Sequence, residues 1–170
     1  YHINADIAYA VDQYATVSGD LNWLVAEGLE ILIETARLWA DLGFWKETPT
    51  EVSDSGASLY GGTRTFHIFG VTGPDEYTAV VDDNFYTNVM ARANLRSAIK
   101  WARWVSDNRP EDFARLADRL DVSHQELEQW DAIVAAIHIP YDERLEIHAQ
   151  DASFLSKPRW DFEGTPLAKY

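Results

Sequence analysis

His67-Ile68-Phe69-Gly70-Val71-Thr72-Gly73-Pro74-Asp75-Glu76-Tyr77 carries two adjacent carboxylates out of an apolar run on a turn rich in glycine and proline. Upstream, residues 63–71 are rich in β-branched and aromatic side chains and predict a short strand, which Gly70, Gly73 and Pro74 bring to an end. Downstream, Asp82-Asp83-Asn84 ends in a good helix cap, and a helical pattern begins at Phe85. Strand, acidic turn, cap and helix form one unit, with Asp75 and Glu76 at the strand's mouth. Two readings of the turn are open. In one, Glu76 is a working acid kept protonated by the neighbouring Asp75 charge and by apolar Phe69, Val71 and Tyr77. In the other the turn is plain, Asp75 bonding its own backbone and Glu76 solvated.

Away from this unit helical periodicity dominates. Ile3, Ile7, Ala10, Tyr14 and Val17 predict an amphipathic helix from His2 to Val17, stopped by Ser18-Gly19-Asp20. Residues 21–42 predict the strongest helix. Val25, Leu29, Leu32, Ala36 and Trp39 make one apolar seam and Leu24, Ile31 and Leu38 another. Its polar stripe is Glu27, Glu30, Glu34, Arg37 and Asp41, with Arg37 expected to bridge Glu34 and Asp41. Residues 43–62 read as a long loop anchored by Phe44 and Trp45, with a flexible tip at 53–58. Residues 84–107 are helical again and carry a basic stripe, Arg92, Arg96, Lys100 and Arg103. That stripe is either solvated or paired with the acidic stripe of 21–42. Pro110 opens a helix to about Leu120. Ser123 with Glu126 forms a capping box for a helix through Leu127, Trp130, Ile133 and Ile137, ended by Pro140. Residues 144–150 read as a short strand, and 151–170 as aromatic but irregular.

Composition narrows the function classes. With 46% hydrophobic residues and seven tryptophans the chain has a core to bury, which excludes a disordered reading. A formal charge of −14 argues against nucleic acid and anionic membrane surfaces, while a neutral sugar remains an easy partner. Without cysteine there is neither a disulfide framework nor a thiolate site, and a reducing, cytoplasmic compartment fits. His138, Glu146 and His148 are too loosely arranged for a metal, and no metal or cofactor is expected.

Residues 70–77, Gly-Val-Thr-Gly-Pro-Asp-Glu-Tyr, followed by Asp83-Asn84-Phe85-Tyr86-Thr87-Asn88, resemble the catalytic segment of glycoside hydrolase family 65. Two further stretches match in order, 2–10 (His-Ile-Asn-Ala-Asp-Ile-Ala-Tyr-Ala) and 34–39 (Glu-Thr-Ala-Arg-Leu-Trp). The resemblance implies a mainly α chain, a middle portion of an (α/α)6 barrel whose strand-and-loop excursion carries the catalytic acid. Residues 1–170 would all belong to that partial catalytic domain. It implies an inverting phosphorylase of maltose, kojibiose or trehalose, with Glu76 as general acid and inorganic phosphate as co-substrate. Asp75, Tyr77 and Asn88, together with His2, Asn4 and Asp6 of the first helix, are the expected substrate-binding residues. The three helix residues have capping as their alternative role, and Asn84 is expected as a cap. Thr78 stands where many members have histidine, which bears on acceptor details.

One carboxylate suffices when phosphate, already an anion, is the nucleophile, whereas inverting hydrolysis needs a second to activate water. The rivals are a family 65 hydrolase of the acid trehalase type, and a non-catalytic helical sugar-binding or scaffold module. The phosphate-binding segment is expected beyond Tyr170, so the isolated chain is expected to be inactive. It is also expected to self-associate through faces left uncovered around Leu24, Ile31 and Leu38.

Overall fold

The computed structural model describes residues 1–48, 62–75, 79–166 and 168. Helix α1 (His2–Ser18) ends at a left-handed Gly19. A continuous helical rod follows as α2 (Leu21–Trp23), a π-helical segment (Leu24–Gly28) and α3 (Leu29–Leu42). Strands β1 (Phe44–Thr48) and β2 (Thr63–His67) form an antiparallel pair in which Phe44 faces His67. Helices α4 (Phe85–Asn108), α5 (Pro110–Leu120) and α6 (His124–Ala136) complete the regular structure, followed by a 3₁₀ turn at Phe154–Ser156.

Helix α4 is the hub, because α1, α3, α5 and α6 all pack on it. Its sequence supports this: small residues Ala91, Ala98 and Ala102 permit close approach, while Leu95, Ile99, Trp101 and Val105 fill the remaining space, all of them buried. A polar pair fixes α3 on α4. Trp39 Nε1 donates to Asn94 Oδ1 at 3.0 Å, and Asn94 Nδ2 donates to the Leu32 carbonyl at 3.2 Å.

Several expectations need correction. On α1 the buried residues are Ala5, Ala8, Val11 and Ala15, whereas Ile3 and Val17 are 60% and 82% exposed. The helix rests on its smaller side chains, so a periodicity weighted by side-chain size selected the opposite face. Leu24 is buried and Ile31 and Leu38 half-buried, so no bare seam surrounds Leu24. Arg37 bonds Glu34 at 2.8 Å as expected, but its second carboxylate is Glu126 at 2.6 Å, not Asp41. That contact draws the Glu126 side chain away from the expected capping box, of which the Ser123 half remains, its Oγ accepting from Glu126 N at 3.1 Å.

The basic stripe of α4 is not paired with the acidic stripe of residues 21–42. Lys100 meets Asp12 of α1 at 2.9 Å and Arg103 meets Asp131 of α6. The long loop expected over 43–62 contains β1, since β2 needs a partner for its unpaired edge; the proposed tip at 53–58 lies outside the described residues. The strand expected at 144–150 is a turn closed by one bridge between Asp142 and Ile147.

Replacing Asn94 by alanine leaves the buried Trp39 indole N–H without an acceptor. The expected loss is about 1–3 kcal/mol of stability, read from urea unfolding. Pairing Asn94→Leu with Trp39→Phe should recover part of it, since neither side then retains an unmatched polar group.

Candidate catalytic site

Residues 68–72 and 79–83 are zipped together as the neck of a loop. Asp83 N donates to the Ile68 carbonyl at 2.8 Å, and Ile68 N donates back to Asp83 Oδ1 at 3.3 Å. One step further out, Gly70 N bonds Asp82 Oδ1 at 3.0 Å, and Val71 and Val81 exchange backbone bonds of 3.0 and 2.9 Å. Thr72 Oγ1 donates to the Ala79 carbonyl. The expected strand through Val71 therefore ends at His67, because the backbone beyond it bonds within the loop. Two glycines permit this path. Gly70 has φ of 67°, and a methyl group at Gly73 would lie 2.6 Å from the Asn84 amide. Glu76 and Tyr77 lie outside the described residues.

Beneath the neck is a buried polar cluster that pattern reading missed. His67 Nδ1 and Asp83 Oδ2 are 2.8 Å apart, with side chains 10% and 4% exposed. His67 Nε2 meets Thr65 Oγ1 at 2.8 Å. Asp83 Oδ1 also accepts from Asn88 Nδ2 at 3.1 Å, and that same amide nitrogen donates to the His138 carbonyl at 2.8 Å. Asp83 has φ of 49°, a left-handed conformation that aspartate tolerates better than most residues. Asn84 caps α4, its Oδ1 accepting from Thr87 N at 3.0 Å. The only sequence signal for the cluster was His67 inside an apolar run, sixteen residues before an Asp-Asn pair.

The sequence-derived site residues separate into groups. His2 Nδ1 lies 3.2 Å from the Thr72 carbonyl, so α1 begins against the loop. Asp6 accepts a 2.6 Å bond from the Tyr86 hydroxyl. Tyr86 in turn meets the His2 ring edge-on, and the Asp6 hydrogen bond, with burial, raises the Tyr86 pKa. Asp75 is held by the Gln150 side-chain amide. Gln150 also receives bonds at its carbonyl from Phe85 N at 2.9 Å and Asn84 Nδ2 at 3.3 Å. Asn4 turns away into a local bond, its Nδ2 donating to the Tyr1 carbonyl at 3.1 Å; this does not make the capping alternative, since no side chain caps the start of α1. Asn88 is wholly buried and supports Asp83 from below; its Oδ1 is a buried acceptor without a partner among the described residues.

His138 stacks on His67 at 4.9 Å between centroids. Burial lowers its pKa, with His67 and Lys46 acting the same way against an opposing pull from Asp83. A cleft of about 620 Å3 between residues 22–26 and α5 is lined by other residues, and its arginines 109, 115 and 119 already bond Asn22, Asp112 and Glu30. Among the described residues no cluster of histidine and carboxylates has metal-site geometry, and no helix is long and apolar enough to cross a membrane.

Asp83→Ala orphans donors from His67, Ile68 and Asn88, and is expected to cost about 3 kcal/mol or more. His138 is expected to titrate below its ordinary value of 6.5 in histidine NMR. The unfolded chain then binds the extra proton first, so this residue's contribution to stability declines as pH falls below about 6.5 and is unchanged above it.

The chain matches the Glycosyl hydrolase family 65 central catalytic domain over residues 1–169. It is 43% identical over 170 residues to an alpha,alpha-trehalose phosphorylase of Geobacillus stearothermophilus, covering all of this chain and 20% of the relative. It is 31% identical over 156 residues to a kojibiose phosphorylase of Halothermothrix orenii, covering 92% of this chain and 18% of that protein. A solved structure of a human-microbiome protein assigned as a kojibiose phosphorylase superposes with a TM-score of 0.73 at 20% identity, over 98% of this chain and 22% of its own. That likeness supports a fragment of a helical barrel. The chain thus spans about a fifth of the length of these relatives, and it belongs to glycosyl hydrolase family 65, as part of the central catalytic domain.

Proposed function

We propose that this chain is part of an inverting disaccharide phosphorylase in which Glu76 is the general acid. The observation that carries the proposal is the zipped neck formed by residues 68–72 and 79–83, which is anchored in a buried hydrogen-bond cluster; the Gly-Pro-Asp-Glu-Tyr sequence between its two sides resembles the family's acid motif. The phosphorylase relatives support phosphate over water as the nucleophile. The domain is taken to be an (α/α)6 barrel. The substrate is an α-glucosidic disaccharide of the maltose, kojibiose or trehalose type, and the setting cytoplasmic.

In this mechanism the Glu76 carboxylic acid gives its proton to the glycosidic oxygen as the bond to the anomeric carbon breaks. Phosphate attacks that carbon from the opposite face. The leaving glucose takes the proton, and inversion converts the α-glucoside into β-glucose 1-phosphate. Asp75, held by Gln150, is the neighbour of Glu76 in sequence, and a carboxylate charge at that position favours the protonated form of the acid. His2 and Asp6 brace the loop and Tyr86 on the α1 side.

Glu76→Gln in the intact enzyme retains size but lacks the proton. Phosphorolysis of the disaccharide is expected to fall by about 10²–10⁴-fold, which is roughly 3–5 kcal/mol of barrier. With α-glucosyl fluoride, whose leaving group needs little protonation, the loss should be far smaller. Equal loss on both substrates, small or large, contradicts the assignment.

A further inference from the structure

A groove of about 430 Å3 runs between α1 and α4, in a part of the fold that the mechanism above does not use. Along α4 it extends from Val89 to Lys100, which is about 16 Å, or three helical turns. Its floor is a row of residues four apart, Val89, Ala93 and Ser97. Two of these are small, so a facing helix can set a ridge of its own there and approach to about 8–10 Å between axes.

The charges in the groove do not balance. Asp12 is its one carboxylate and is already in use, its Oδ1 accepting from Lys100 Nζ at 2.9 Å and from Trp101 Nε1 at 2.6 Å. Lys100 and Asp12 therefore cancel. Arg92 and Arg96 remain, one helical turn apart, and neither bonds another described residue. Arg92 is half-buried rather than spread into solvent. The chain has 28 Asp and Glu against 14 Lys and Arg, so acids outnumber bases two to one. Two neighbouring guanidiniums left without a carboxylate in such a chain point to acids supplied from elsewhere.

Helix α1 is itself built for more than one neighbour. It rests on its buried Ala5, Ala8, Val11 and Ala15, yet Ile3, Ile7 and Tyr14 on another face are exposed. A helix apolar on more than one face belongs inside a helical assembly. The rest of the protein is large enough to provide one. This chain covers 20% of the trehalose phosphorylase and 18% of the kojibiose phosphorylase described above, which leaves about four-fifths of each to fold around it.

We infer that the groove seats a helix from the remainder of the same polypeptide, one whose two carboxylates, a turn apart, pair with Arg92 and Arg96. Side chains three or four residues apart on a helix have Cβ atoms about 5–6 Å apart, so guanidiniums on successive turns match acids on successive turns. Each such pair can form two parallel N–H to O bonds, which fixes the register of the two helices as well as attracting them. The inference rests on family membership and is independent of the role assigned to Glu76.

The test uses the full-length enzyme carrying Arg92→Lys and Arg96→Lys, which keeps both charges and supplies amines. A carbodiimide joins an amine to a carboxylate without a spacer, so it links only groups already in contact. The expected product, read by mass spectrometry of a digest, is an amide link within one polypeptide from position 92 or 96 to an Asp or Glu outside residues 1–170. Links confined to Asp12 or to other residues of 1–170, links only between two molecules, or no link at either position overturn the inference. Charge reversal gives a second reading. Arg92→Glu with Arg96→Glu should lower the urea midpoint of the full-length enzyme, and exchanging the linked carboxylates for lysine should recover about half or more of the loss. An unchanged midpoint marks a groove open to water, where a surface charge contributes little, and overturns the inference, as does a loss that the exchange leaves in place.

Discussion

A carboxylate buried beneath a loop is the constraint on which this site depends. Asp83 lies almost wholly out of water and accepts from His67, from Ile68 N and from Asn88. Burying an unpaired carboxylate would be prohibitive, so these three donors have to arrive together or the chain cannot close there. Each comes from a different place: the end of β2, the first residue of the loop and the first turn of α4. Satisfying one side chain therefore brings the three elements to a common point. Asp83 also closes the loop by its own backbone, which makes one residue responsible for both the anchor and the neck.

The rest of the fold serves that closure. Helix α4 begins immediately after Asp83 with Asn84 as its cap, and four other helices pack on it, so the loop is mounted on the most supported element of the chain. The segment after α6 completes the mounting. His138 N bonds the Phe66 carbonyl at 2.8 Å, and Ala152 N bonds the Asp82 carbonyl at 3.0 Å. A general acid gains from such mounting, because its proton must meet the leaving oxygen within hydrogen-bond reach, and displacement of about 1 Å is costly in rate.

Much of this was legible in the sequence, for identifiable reasons. The helices at 21–42, 84–108, 110–120 and 124–136 carry strong periodicity and chemically clear ends, such as Pro110 and Ser123, and they form nearly where expected. The cap at Asn84 was readable because its side chain acts three residues away. Tertiary choice was not readable. Which face α1 buries depends on how closely α4 allows it to approach, and Glu126 prefers Arg37 of a distant helix over its own helix end. At the site, His2 and Asp6 do reach the loop and its flanking tyrosine, whereas Asn88, expected to meet substrate, supports Asp83 from inside. The contacts of Gln150 and His138 connect residues fifty or more positions apart, for which no local pattern exists.

The loop of residues 68–83 is rigid at its neck because Asp83 ties it to the core. Native-state hydrogen exchange of the Val71, Val81 and Asp83 amides measures this directly. If the neck is part of the core, these three amides exchange only through the same opening that releases the middle of α4 around Asn94 and Leu95, with matching free energies. If they exchange at the rate of an open surface loop while α4 stays protected, the neck is not anchored and Asp83 does not tie the loop to the core.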